Sequence, residues 1–236
     1  MLTKESLRKI RKIALEVDHD AAFGGKSKGN KHLERVVRIA KFLARAEGAD
    51  LALTEAGAFL HDTALPSGND YQYARNKKTV IRLLKRLHLT PQEVEQIAEC
   101  AASHEGTAKP KTLEAAIVHD ADVIEKTGIL GIIRHTWKLT NSRKIDHRKV
   151  LDKDVRAILE HIEWRRKRLN LKSSKKLAKR VAAQVTQHQA RKIIAIVAPL
   201  AYQGVITEKI IPIVNKELNL EQRKKLEIQI KLRYLR

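Results

Sequence analysis

At 236 residues and 43% hydrophobic content, the chain is long enough to bury one large core or two smaller ones, which excludes an intrinsically disordered protein. Its single cysteine, Cys100, excludes an internal disulfide and points to a reducing compartment. The formal net charge of +21 favours phosphate-bearing partners and is unevenly spread: residues 1–130 carry 21 Lys and Arg against 18 acids, and 131–236 carry 27 against 9.

The start of the chain, Met1-Leu2-Thr3-Lys4-Glu5, lacks the apolar core of a signal peptide. No later stretch is long and apolar enough to cross a bilayer, so the expectation is a cytoplasmic protein with no membrane partner. Leu7, Ile10, Ile13, Ala14 and Val17 recur at helical spacing and predict a helix over 3–17, with Thr3 as its N-cap. The glycine- and lysine-rich stretch 23–29 ends that helix; without a Walker pattern it reads as a connector rather than a phosphate cradle. Asn30 is expected to cap the next helix, whose inner face is Leu33, Val36, Val37, Ala40, Phe42 and Leu43 and whose first turn holds His32.

Asp50 or Thr54 opens a helix that delivers His61 and Asp62 near its C-terminal end, before a break at 65–70. A helix over 73–87 follows. Thr90-Pro91-Gln92-Glu93 then combines an N-cap, a proline at the first helical position and a glutamate three residues after the cap, the clearest helix start in the chain. That helix holds Cys100 in an apolar setting unsuited to a redox nucleophile and ends near His104. Thr112 caps a helix over 113–126 that carries Asp120 and Asp122. Beyond Gly131, periodicity predicts helices at about 131–139, 150–169, 174–188 and 190–202, then shorter ones around 207–217 and 220–234, with Pro212 kinking one or moving its start. No segment alternates as a strand does, so the fold class is all-α. A rise in charge near Asn141-Ser142-Arg143-Lys144 separates a region 1–140 from a basic helical region 141–236.

His61-Asp62 sets an imidazole nitrogen beside a carboxylate oxygen at the end of a packed helix, as a metal cation requires. Singly, the candidate ligands have structural readings: His32 as a polar first-turn residue, His61-Asp62 as a helix-end pair, Asp122 as an i,i+4 partner of Lys126. In the company of His32, His104 and Asp122, the His61-Asp62 pair adds to a mixed nitrogen and oxygen set that suits a divalent ion such as Mn, Fe, Co, Ni, Zn or Mg. Asp120 falls on a different helix face from Asp122 and reads as a supporting or capping residue, while His119 and His88 read as surface residues.

His32-Leu33-Glu34-Arg35-Val36, His61-Asp62, His104 and Asp120-Ala121-Asp122-Val123-Ile124, with Gly128 and Arg134 behind, resemble the HD superfamily of metal-dependent phosphohydrolases over residues 30–139. The resemblance implies an HD-domain helical bundle followed by additional basic helices, with one divalent cation on His32, His61, Asp62 and Asp122. It departs at Val123-Ile124, where many members have Arg-Leu. The implied activity is hydrolysis of a phosphate ester, by a phosphomonoesterase or phosphodiesterase, on a nucleotide or related small phosphorylated compound. Asp62 would orient water, and His104 would meet the phosphate or donate a proton; Lys126 and Arg134 are candidate substrate contacts. The competing expectation is a basic protein with a structural metal site that binds nucleic acid through 141–236, where Trp164-Arg165-Arg166-Lys167-Arg168 concentrates charge. With aromatics at 4%, such contact would run through backbone phosphates rather than stacked bases. Apolar late helices such as 190–202 suit a core or a homo-oligomer interface equally.

Overall fold

The structure, a computed structural model, describes residues 2–18, 22–67, 72–105 and 108–232. Among them the fold is all-α, without a strand. The helices are α1 (Lys4–Glu16), α2 (His32–Glu47), α3 (Leu51–Leu60), α4 (Tyr73–Leu84), α5 (Pro91–Ala102), α6 (Leu113–Glu125), α7 (Gly128–Asn141), α8 (Asp152–Arg166), α9 (Lys172–Val181), α10 (Gln187–Tyr202), α11 (Thr207–Asn215) and α12 (Leu220–Lys231).

Short-range polar chemistry sets most of the helix starts. Thr3 Oγ1 accepts the Ser6 N–H at 3.0 Å. Asp50, rather than Thr54, opens α3 by accepting the N–H groups of Ala52 and Leu53, each at 2.9 Å. Thr90 and Glu93 form the reciprocal capping box expected ahead of α5. The break after α3 is described as far as Ser67, and 68–70 lie outside the described residues, as do 233 and 234 of the expected last helix.

Two compact units divide the chain. The first comprises Met1–Lys28, His32–Asp122 and Asn170–Ser174, and the second Gly29–Lys31, Val123–Leu169 and Lys175–Arg236. The division falls inside α6, so 123–140 group with the basic helices that follow.

In the first unit α3 packs against α1, α2 and α5, and α4 packs against α5. Seven of the ten residues of α3 are buried, which removes it from solvent on nearly every side and makes it a fixed support for the His61-Asp62 pair at its C-terminal end. It runs so close to α5 that a Cβ on Gly57 would lie 2.4 Å from the Cβ of Cys100, a space only glycine fits. Burial, reinforced by the charge of Glu114, pushes the Cys100 thiol up to about 12, so this residue packs rather than reacts.

In the second unit α7 packs against α8, α10, α11 and α12, and α10 also touches α8 and α11. Trp137 on α7 is buried and donates its indole N–H to the Val205 carbonyl at 3.0 Å. Two expectations are corrected here. Asn30 does not serve α2; its Oδ1 accepts the Thr207 N–H at 2.8 Å and so caps α11 across a large sequence separation. The helix expected over 174–188 is two helices: α9 stops at Val181, and Thr186 with Gln189 forms a capping box that starts α10. Pro212 lies inside α11, which starts at Thr207.

Candidate metal centre

Four elements of the first unit bring the predicted ligands together. His32 is the first residue of α2, His61 is the C-cap of α3 with Asp62 next to it, His104 follows the end of α5, and Asp122 lies on α6. His61 and Asp122 are fully buried, His104 and His32 nearly so, and only the Asp62 side chain keeps measurable exposure, 14%.

The ligand atoms face one another. Nε2 of His32 lies 3.2 Å from Nε2 of His61, 3.2 Å from Asp62 Oδ2 and 3.4 Å from Asp122 Oδ1. Nε2 of His61 lies 3.5 Å from Asp62 Oδ2 and 3.4 Å from Asp122 Oδ1, and Nε2 of His104 lies 3.5 Å from Asp62 Oδ1. Metal bonds of about 2.1 Å give tetrahedral and octahedral ligand polyhedra with edges of roughly 3.0–3.4 Å, which these separations approximate. Within each of the triads His32/His61/Asp62 and His61/His104/Asp122, the ligand atoms lie within 4.8 Å of one another.

Proton positions agree with metal ligation. A backbone carbonyl can only accept, so the 2.7 Å contacts of His61 Nδ1 with Ala58 O and of His104 Nδ1 with Ala101 O place the ring proton on Nδ1 in both residues. Each neutral ring then aims the lone pair of Nε2 into the cluster, in the orientation that carbonyl partners impose on ligating histidines. Nε2 of His104 is buried there without a hydrogen bond. Two carboxylates so enclosed repel each other and are poorly hydrated, a cost that a divalent cation between them offsets. The donor set therefore fits a divalent metal: His32, His61, Asp62 and Asp122, with His104 in reach.

The supporting residues are mostly local. Tyr73 Oη and Ser103 Oγ donate to the carboxylate of Glu99, the latter at 2.9 Å, tying down the end of α5 that leads into His104. A cavity of about 10 Å³ between Ala14, Leu33 and Leu65 borders Asp62, enough for about one water.

Two residues differ from expectation or were not anticipated. His119 is buried rather than on the surface, and its Nδ1 lies 3.0 Å from Asp120 Oδ1. Asn170, absent from the sequence-based site, donates to the Asp120 carboxylate from both its backbone and its side chain. Burial works to raise the Asp120 pKa, but the bonds from His119, Asn170 and Leu171 outweigh it and hold the carboxyl below its ordinary range. Lys126 and Arg134 belong to the second unit; Arg134 Nε lies 3.6 Å from the buried Glu125 carboxylate, a partner that a phosphate would have to displace.

Residues 30–127 match the family model of the HD domain, and they contain all five of these metal-facing side chains. This segment is an HD domain. HD proteins are metal-dependent phosphohydrolases as a class, and the His, His-Asp, Asp pattern that defines them occupies the geometry described above. Two solved structures resemble the chain beyond the HD segment. A Lactobacillus plantarum protein, Northeast Structural Genomics target LpR71, is 24% identical over 82% of this chain and 95% of its own, with a TM-score of 0.61. The Lin1889 protein from Listeria innocua is 21% identical over 80% of this chain and 93% of its own, with a TM-score of 0.53. At such identity the likeness establishes the fold alone.

Proposed function

We propose that the chain hydrolyses a phosphate ester, of a nucleotide or another small phosphorylated compound, at the HD centre. The observation that carries this reading is the convergence of His32, His61 and His104 through Nε2 on the carboxylates of Asp62 and Asp122. A divalent cation held by His32, His61, Asp62 and Asp122 would supply Lewis-acid polarisation of a phosphoryl oxygen and make water more acidic.

The chain's own groups account for the rest. Asp62, the most exposed of the set, accepts a hydrogen bond from the attacking water and aligns it. His104, held with its Nε2 lone pair inward, takes the proton that the attacking water gives up and passes it to the departing oxygen. Incubating the purified protein and Mn²⁺ with mono- and diester p-nitrophenyl phosphates and with nucleotides tests the reading. Turnover should fall by more than about a hundredfold in His61→Ala and Asp62→Ala that still fold. Equal turnover in wild type and variants, or none with any substrate, contradicts it.

One observation favours a second reading. An open groove of about 940 Å³ in the second unit is bordered by Lys179 and by the ion pairs Arg166–Glu163 and Lys225–Glu221, and Lys175, Lys176, Lys179 and Arg180 are exposed along α9. In this reading the basic unit binds a nucleic-acid backbone. Binding should then weaken steeply with salt. Salt-independent or absent binding removes it.

A further inference from the structure

Asp120 and Asp122 are two residues apart on α6, so their side chains point about 200° apart around the helix axis. Asp122 is turned into the metal centre. Asp120 is turned to the other side, where it is fully buried and meets a short piece of chain from outside the HD segment. Its carboxylate accepts the Asn170 N–H at 2.9 and 3.1 Å, the Leu171 N–H at 2.9 Å and the Asn170 side-chain amide at 2.9 Å. His119 Nδ1 lies 3.0 Å from both Asp120 Oδ1 and Asn170 Nδ2, so the imidazole is held in the same knot.

We infer that the Asp120–Asn170 clamp sets the rotation and height of α6 and thereby positions Asp122 for metal binding, making Asp120 and Asn170 positioning residues of the HD centre. Bond directionality is the reason. A helix packed by apolar side chains alone can turn or slide slightly at low cost, because such contacts are not directional. A carboxylate fixed by N–H donors from two successive backbone amides cannot, since each bond restricts both distance and angle. Residues 170 and 171 immediately precede α9, so Asp120 also satisfies N–H groups at that helix start, and the two helices are pinned at one point. Asp120 and Asp122 are separated by the single apolar residue Ala121, so the same buried stretch of α6 must direct one acid to a cation and another to backbone amides. The clamp fixes which acid faces which partner.

This inference rests on the metal-binding reading above, and the test separates the two. Mn²⁺ and Co²⁺ affinities are measured by calorimetry on wild type, Asp120→Asn and Asn170→Ala, alongside metal-free melting temperatures. Thr186→Ala, which removes the α10 cap far from this knot in sequence, supplies a control for general destabilisation. Asn170 is exposed, so its truncation leaves the core intact even where Asp120→Asn folds poorly. The expected result is metal affinity about ten- to a hundredfold weaker in Asp120→Asn, less so in Asn170→Ala, and unchanged in Thr186→Ala. Wild-type affinity in both clamp variants, with only their melting temperatures lowered, overturns the inference while leaving the metal site intact. Absence of metal binding in the wild type overturns the metal-binding reading itself and the inference with it.

Discussion

Nε2 of His61, at the end of α3, lies 3.4 Å from Oδ1 of Asp122 on α6, and both side chains are fully buried. With its Nδ1 proton engaged by Ala58 O, the neutral imidazole of His61 presents its Nε2 lone pair toward Asp122, the orientation of a metal ligand. Two lone-pair donors facing each other in a dry interior call for a cation between them.

The tautomer assignment yields a first prediction. His61→Gln and His104→Gln keep a polar side chain but lose the directed imidazole lone pair. His61→Gln should weaken divalent-metal affinity by about tenfold or more, whereas His104→Gln should chiefly lower turnover at saturating metal. Metal titration beside steady-state kinetics checks both; the opposite ranking would reverse the roles assigned to the two histidines.

Gly57 sets a second prediction. A methyl group there meets the Cβ of Cys100 at 2.4 Å, so Gly57→Ala must push α3 from α5. Overpacking of this kind costs about 1–3 kcal/mol. Thermal or urea unfolding should show that loss, and Gly57→Ala/Cys100→Gly should recover part of it.

Cys100 sets a third. With its thiol pushed up to about 12 by burial, it should resist thiol reagents in the native state at neutral pH and react at once after unfolding. Rapid labelling of the folded protein would contradict the packing described here.

A fourth concerns acid. His135 on α7 stacks on His161 of α8 with ring centroids 4.3 Å apart, and Arg165 donates to His161 Nε2 at 2.8 Å. Burial first, then the charges of His161, Arg165, Lys138 and Lys126, lower the His135 pKa from 6.5 to about 3. Below pH 6.5 the unfolded imidazole takes a proton that the folded one refuses, so stability falls with pH by up to about 1.4 kcal/mol per unit until the folded group titrates near 3. His135→Gln should flatten that slope in urea denaturation between pH 6.5 and 4. An unchanged slope would show that His135 is not the group responsible.

The parts of the fold legible in the sequence are those written in neighbouring residues. Thr3, Asp50 and Thr90 cap their helices through side chains acting two or three positions away, and the apolar spacing of α2 foretold most of its buried face. Thr186 and Gln189 carried the same signature, but the apolar run Val181–Val185 ahead of them reads equally well as helix. Asn30 looked like a cap for the helix beside it, whereas its oxygen serves Thr207, a partner that no local pattern specifies. His119 reads as a surface residue, and Asp120 as a support or cap with no partner named, for the same reason: their surroundings include Asn170, which lies 51 and 50 residues away in sequence. The metal-facing set was recognisable because its residue types and order are unusual enough to survive without knowledge of distance.

The most direct test is elemental analysis of the purified protein and of Asp122→Ala after equilibration with divalent metal and removal of the excess. The account predicts at least one tightly held ion per wild-type chain and a clear loss in Asp122→Ala, whose helical content should persist by circular dichroism. A wild-type chain that retains no metal, or an Asp122→Ala chain that retains as much, would contradict it.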